Sequence, residues 1–148
     1  MKKLFYLLVT VSVMLGGFSC RTAVQKEVSE KPESGTVNMV SVGNTMLKAF
    51  QKEDYAEFSK NFYPGLKKDF NASAFEQGRR QISETVGKMQ NCRYLGVLAG
   101  PVFSNYLWAV EFSRKSADGK EIVQEMLFKV SAAELDGKLQ VVSFGFVL

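Results

Sequence analysis

VNMVSVGNTMLKAFQKEDYAEFSKNF, residues 37–62, decides the fold. Met39, Val42, Met46, Ala49 and Phe50 fall at helical spacing, on one face of a 3.6-residue period. Lys48, Gln51 and Lys52 fall elsewhere on the wheel and can stay in water. The run Lys52-Glu53-Asp54 interrupts the pattern. Asp54 reads as an N-cap, with Glu57 three residues on in a capping-box arrangement. Tyr55, Phe58 and Phe62 then continue the apolar stripe until Pro64-Gly65 breaks it. Each of Phe50, Phe58 and Phe62 stabilises the fold by roughly 1.5–3 kcal/mol when buried. Phe50→Ala is therefore expected to lower stability by about 3–5 kcal/mol. Thermal unfolding checks this, and an unchanged midpoint would remove the helix from the core.

Beyond the break, Leu66 to Phe70 has room for one more helical turn. Asn71 reads as the N-cap of a helix carrying Phe75, Gly78, Ile82 and Val86 on one face. Asn71-Ala72-Ser73 also matches a glycosylation sequon, but capping is the better use of Asn71. From Asn91 the period changes to two. Four antiparallel strands are expected near Cys92–Ala99, Ser104–Lys115, Glu121–Ser131 and Lys138–Val147. Gly100-Pro101 separates the first two, and Asp118-Gly119 and Asp136-Gly137 are tight-turn signals for the other connections. In the second strand Tyr106, Trp108, Val110 and Phe112 alternate with Leu107, Ala109, Glu111 and Ser113. In the third, Ile122, Gln124, Met126, Phe128 and Val130 share a face. The fourth is apolar at both parities, which suggests a central strand or one covered on both faces.

Ahead of this domain, residues 1–19 read as a signal peptide. Lys2-Lys3 forms a positive start, an apolar run of about fifteen residues follows, and small residues precede Cys20. The run is shorter than the ~20 residues a membrane-spanning helix needs. Residues 20–36 form a cysteine followed by a polar segment with Pro32 and Gly35. As a disordered tether of about 16 residues, Arg21 to Thr36 would span roughly 20–24 Å. Residues 37–148 are the folded domain.

The segment Leu15-Gly16-Gly17-Phe18-Ser19-Cys20 resembles a bacterial lipoprotein signal, with Gly17 departing from the usual leucine. The resemblance implies that Cys20 carries the lipid and anchors the domain to a lipid bilayer in the cell envelope. In a Gram-negative cell that would be the outer membrane. Multiple acyl chains make such anchoring stable. Ordinary cleavage at the same bond, giving a freely secreted domain, is the alternative that Gly17 and Ser19 also satisfy.

Composition narrows the chemistry. The 148 residues have room for one core, and 46% apolar with 23% charged residues is globular in character. Removing Lys2 and Lys3 leaves 17 basic against 15 acidic residues, too small an excess for nucleic acid. The chain has no histidine, which excludes Ser-His-Asp and Cys-His nucleophilic sites and histidine-bound metals. Two cysteines cannot build a thiolate metal cluster. No cofactor, metal or catalytic residue is assigned. Lys67, Lys68, Arg79, Arg80, Lys88 and Arg93 make the middle of the chain locally basic, a solvated helix face more readily than a site for acidic ligands. Cys92 reads as a buried thiol acting as a small apolar residue, or as one half of a disulfide to another protein.

Helices followed by a meander of long strands argue for an α+β fold. This order, with Met46-Leu47-Lys48-Ala49-Phe50-Gln51-Lys52-Glu53-Asp54-Tyr55 as helix, turn and second helix, resembles the cone shared by nuclear transport factor 2-like and cystatin-like domains. The resemblance implies N-terminal helices packed against a curved four-stranded antiparallel meander. Enzymes of that superfamily carry an acid or histidine inside the cone. Here Glu111, Glu121 and Glu125 fall on the outward registers, so no general base is named. Tyr94, Tyr106, Trp108, Gln124 and Met126 are the candidate ligand-binding residues of an apolar pocket, with plain core packing as their alternative use. A register slip of one residue would turn Glu111 inward and revive an isomerase- or hydrolase-like reading. The reading preferred from sequence is a non-catalytic envelope lipoprotein that binds an envelope protein, a peptide or a small apolar ligand.

Overall fold

The computed structural model describes residues 37–147. The signal peptide, Cys20, the tether and Leu148 lie outside the described residues. Helix α1 (Met39–Lys52) opens the fold, capped by the Asn38 side chain, which accepts from the amides of Val40 and Ser41. Its buried face holds the five expected residues, with Gly43 and Leu47 added. Glu53 adopts a left-handed conformation and ends the helix. Asp54 then caps α2 (Tyr55–Phe58), accepting from the Glu57 amide at 3.0 Å. Pro64, expected to break structure, instead occupies the first turn of α3 (Pro64–Asp69), where its missing N–H is no loss. Asn71 caps α4 (Ala72–Val86) through its side chain, as its spacing predicts.

Strands β1 (Lys88–Leu98), β2 (Ser104–Lys115), β3 (Glu121–Leu135) and β4 (Lys138–Val147) form one antiparallel sheet in the order β1-β2-β3-β4. Strand β1 starts four residues earlier than its sequence suggests and β3 runs four residues longer. The β3–β4 turn has positive φ at Asp136 and Gly137, the geometry their sequence signals. Trp108, Val110, Phe112, Met126, Phe128 and Val130 face the helices as expected, and Glu111 opposite Glu125 faces outward.

Two expectations need correcting. Strand β4 is an edge strand, not a central one. Its apolar residues occupy both parities because Val142 is an extra residue in the ladder: Ser131 pairs with Ser143, but Ala132 pairs with Val141. The bulge switches the alternation, so Val141 and Phe144 both turn to the core. The start of this edge is also covered. Residues 61–63 run beside it, with the Tyr63 amide donating to the Val141 carbonyl at 3.0 Å and the Val141 amide donating to Asn61 at 2.9 Å. The second correction concerns Cys92, which is buried but takes part in a disulfide and is not a free thiol. The other cysteine of the sequence, Cys20, lies outside the described residues.

The core is aromatic on its helical side. The Phe58 ring lies 4.8 Å from Phe75, 5.1 Å from Phe144, 5.7 Å from Phe62 and 6.4 Å from Phe70, measured between centroids. Phe50 meets Phe146 at 5.1 Å and Phe75 at 6.2 Å, which ties α1 to both β4 and α4.

Candidate functional site

The residues suggested for a ligand pocket share the inner face of the sheet. Trp108 is fully buried at the centre of β2. It lies across Gly43 of α1, and any side chain at that position would overlap its six-membered ring. The indole N–H donates to Asn44 Oδ1 at 2.9 Å, so the ring is fixed at both its face and its edge. Tyr94 packs beside it at 5.3 Å and Phe128 at 6.0 Å. Met126 is buried opposite Val110. Half-buried Gln124 sits opposite Phe112, and half-buried Tyr106 opposite Val130. Trp108 and Met126 therefore belong to the packed core, Tyr94 and Tyr106 pack against it, and none of the five lines the grooves described below.

Burial raises the pKa of Tyr94, and the neighbouring Tyr106 raises it further. The phenol of an unfolded chain ionises near pH 10. Above that pH the unfolded state loses the proton first and gains stability relative to the fold, so native stability should fall as pH climbs from about 10 toward the raised folded value. Denaturant unfolding of wild type and Tyr94→Phe at pH 9 and pH 11 checks this: the variant should lose less on going to the higher pH.

Grooves on the described surface include three of note. One, of about 340 Å³, lies between the end of α1, α4 and the start of β1, lined by Phe50, Glu53, Arg79, Ile82 and Met89 among others. Arg79 pairs with Glu53 at 2.6 Å across it. The groove meets a second, of about 440 Å³, at Ser83, Gly87 and Lys88, which extends to Arg114, Lys115 and Glu121. The third, about 380 Å³, lies at the other end of the domain, between Val37, Asn61 and the β3–β4 turn. Three of the six residues that make the middle of the chain locally basic are paired in space. Arg79 is neutralised by Glu53, Arg80 by Glu76 and Arg93 by Glu125. Among the described residues no cluster of histidine, cysteine and carboxylates could hold a metal ion, and no helix is long and apolar enough to cross a membrane.

Sequence reasoning missed one surface feature. The end of β1 and the β1–β2 connection expose Leu95, Val97, Leu98, Val102 and Phe103, with Val102 75% and Leu98 62% accessible. The available signal was the uncharged run from Tyr94 to Val110, too long to be accounted for by a single buried strand.

No protein-family description and no curated protein matches the chain. Solved structures do. A SEC-C motif containing protein from Rhodopseudomonas palustris aligns over 73% of this chain and 77% of its own, at 12% identity and a TM-score of 0.51. An NTF-2 like protein of unknown function from Shewanella oneidensis aligns over 74% of this chain and 96% of its own, at 8% identity and a TM-score of 0.50. Identities this low speak for the fold alone. Helices laid on a four-stranded antiparallel meander, with Trp108 closing the space beneath α1, make this an α+β domain with the nuclear transport factor 2-like fold.

Proposed function

We propose that this protein is a lipoprotein of the bacterial cell envelope, anchored through acylated Cys20, whose domain is a non-catalytic binding or accessory module. The anchoring half rests on the signal-like segment ending at Cys20. The observation that carries the other half is the filled interior. Where an enzyme of this fold would hold a substrate, Trp108 lies against Gly43 and Asn44, and Glu111 and Glu125 face outward. Recognition is left to the outer surface, with an envelope protein, a peptide or a small apolar ligand as the partner.

The disulfide at Cys92 favours a second reading, a freely secreted domain in which Cys20 carries no lipid. Both readings place the domain in an oxidising, extracytoplasmic compartment. Under the first, Cys92 pairs with a cysteine of another chain. Under the second, the two cysteines of this chain pair with each other.

Intact mass of wild type and Cys20→Ala, taken without reductant from membrane and soluble fractions, separates them. The proposal expects a membrane-extracted chain beginning at Cys20 with added acyl groups, lost in the variant. An unacylated soluble chain, two hydrogens lighter than its reduced form, would replace it with the secreted reading.

A further inference from the structure

The two ends of the domain differ in character. Gln51, near the end of α1, donates to the Met89 carbonyl, and Met89 pairs with Phe112. Asn44, earlier in the helix, meets Trp108, which pairs with Tyr94. Toward its start, α1 therefore points along the sheet to the Leu98–Asn105 pair and the β1–β2 connection. Val37 lies in the groove beside Gly137 and Lys138, which places the β3–β4 turn at this end as well. The chain thus enters the fold at the end carrying both hairpin tips.

Of the ten exposed large apolar residues among those described, seven belong to this end: Val37, Leu95, Val97, Leu98, Val102, Phe103 and Leu135. The opposite connection, Lys115 to Glu121, carries Lys115, Asp118, Lys120 and Glu121; at the near end the β3–β4 turn carries Glu134, Asp136 and Lys138, and the β1–β2 connection carries no charge. The β1–β2 tip falls within a stretch, residues 94–110, that has no charged side chain. A side chain at Gly100 would press on the Phe103 carbonyl, so the tip is closely folded.

Resting on the anchored reading above, we propose that this end sits against the bilayer that holds Cys20, with the tip at residues 99–103 inserted among the lipid headgroups. Sixteen residues, 21–36, separate the anchor from Val37, and even fully extended they reach at most about 55 Å. The domain is held to the surface by the end that carries the uncharged β1–β2 tip, beside the β3–β4 turn with its exposed Glu134, Asp136 and Lys138. An uncharged tip of valine, leucine and phenylalanine can enter the interfacial layer without burying a charge, and water there still serves its backbone. A second copy is the rival occupant; a stable interface needs about 800 Å² per partner, and sedimentation tells the two apart.

The test is tryptophan quenching by brominated lipid, on the full acylated protein reconstituted in phosphatidylethanolamine–phosphatidylglycerol vesicles. Val102→Trp reports the tip and Ala117→Trp the opposite turn. Native Trp108 is fully buried and present in both. Loss of most of the added emission at position 102, none at 117, and no change with salt is the expected result. Emission retained at both positions, or lost equally at both, would overturn the membrane-facing end while leaving the anchor intact. A 102-specific change accompanied by dimerisation in sedimentation would assign the patch to a second copy and overturn it too. Intact mass of the same samples reports separately on acylation, so failure of the anchor is told apart from failure of the orientation.

Discussion

Gly43→Leu should abolish the cooperative melting transition of the domain. Gly43 faces Trp108 across the α1–β2 contact, and even a Cβ would occupy the space of the indole ring. The ring has no easy escape. Its N–H is held by Asn44, Tyr94 flanks it, and it is fully buried. Forcing one extra methylene into such a core costs about 1–3 kcal/mol. A whole leucine side chain asks α1 to leave the sheet, against a total stability of about 5–15 kcal/mol. Circular dichroism melting of Gly43→Leu beside Gly78→Leu makes the comparison internal. Gly78 is also helical, but no atom beyond its own stretch of helix lies within 4 Å of where its Cβ would be, so that variant should melt at or slightly above wild type. Equal midpoints in the two variants would show that α1 does not lie on Trp108.

Phe58→Ala should lower stability by about 3–5 kcal/mol. The magnitude comes from position. A ring in a helix of only four residues touches rings from the segment after it, from α3's end, from α4 and from β4. Those partners are anchored by different elements and cannot all close on the space left behind. Urea denaturation measures the loss, and Phe58→Leu should recover part of it by refilling volume. A loss below about 1 kcal/mol in the alanine variant would mean the cluster is loosely packed.

The elements most legible in the sequence were those with a local physical cause. Asp54 and Asn71 announced two helix starts because a short side-chain acceptor followed by free amides needs no tertiary information. The alternation from Tyr106 to Phe112 announced β2 and its facing because one side of the strand is buried under α1. What failed depended on partners distant in sequence. The bulge at Val142 reverses parity, and nothing in the residues of β4 marks it; the position is set by pairing with β3. The same holds inside the cone. Tyr94 and Trp108 have the composition of a pocket wall, and only Gly43 and Asn44, about 50–65 residues earlier, turn that wall into packed core. The exposed tip was legible in principle, since residues 94–110 carry no charge, but an uncharged run reads equally well as buried strand.

The short stretch at residues 61–63 that lines the edge of β4 has a consequence for the order of events in folding. Phe62 bridges Val141, 79 residues later in the chain, and Phe58 and Phe62 both wait for Phe144. The helical layer therefore cannot complete its core while the ribosome is still making the sheet, because its aromatic partner Phe144 lies in the fourth strand. Loop closure over that distance is slow relative to local helix formation. The helical side of the core therefore stays incomplete until β4 has been made.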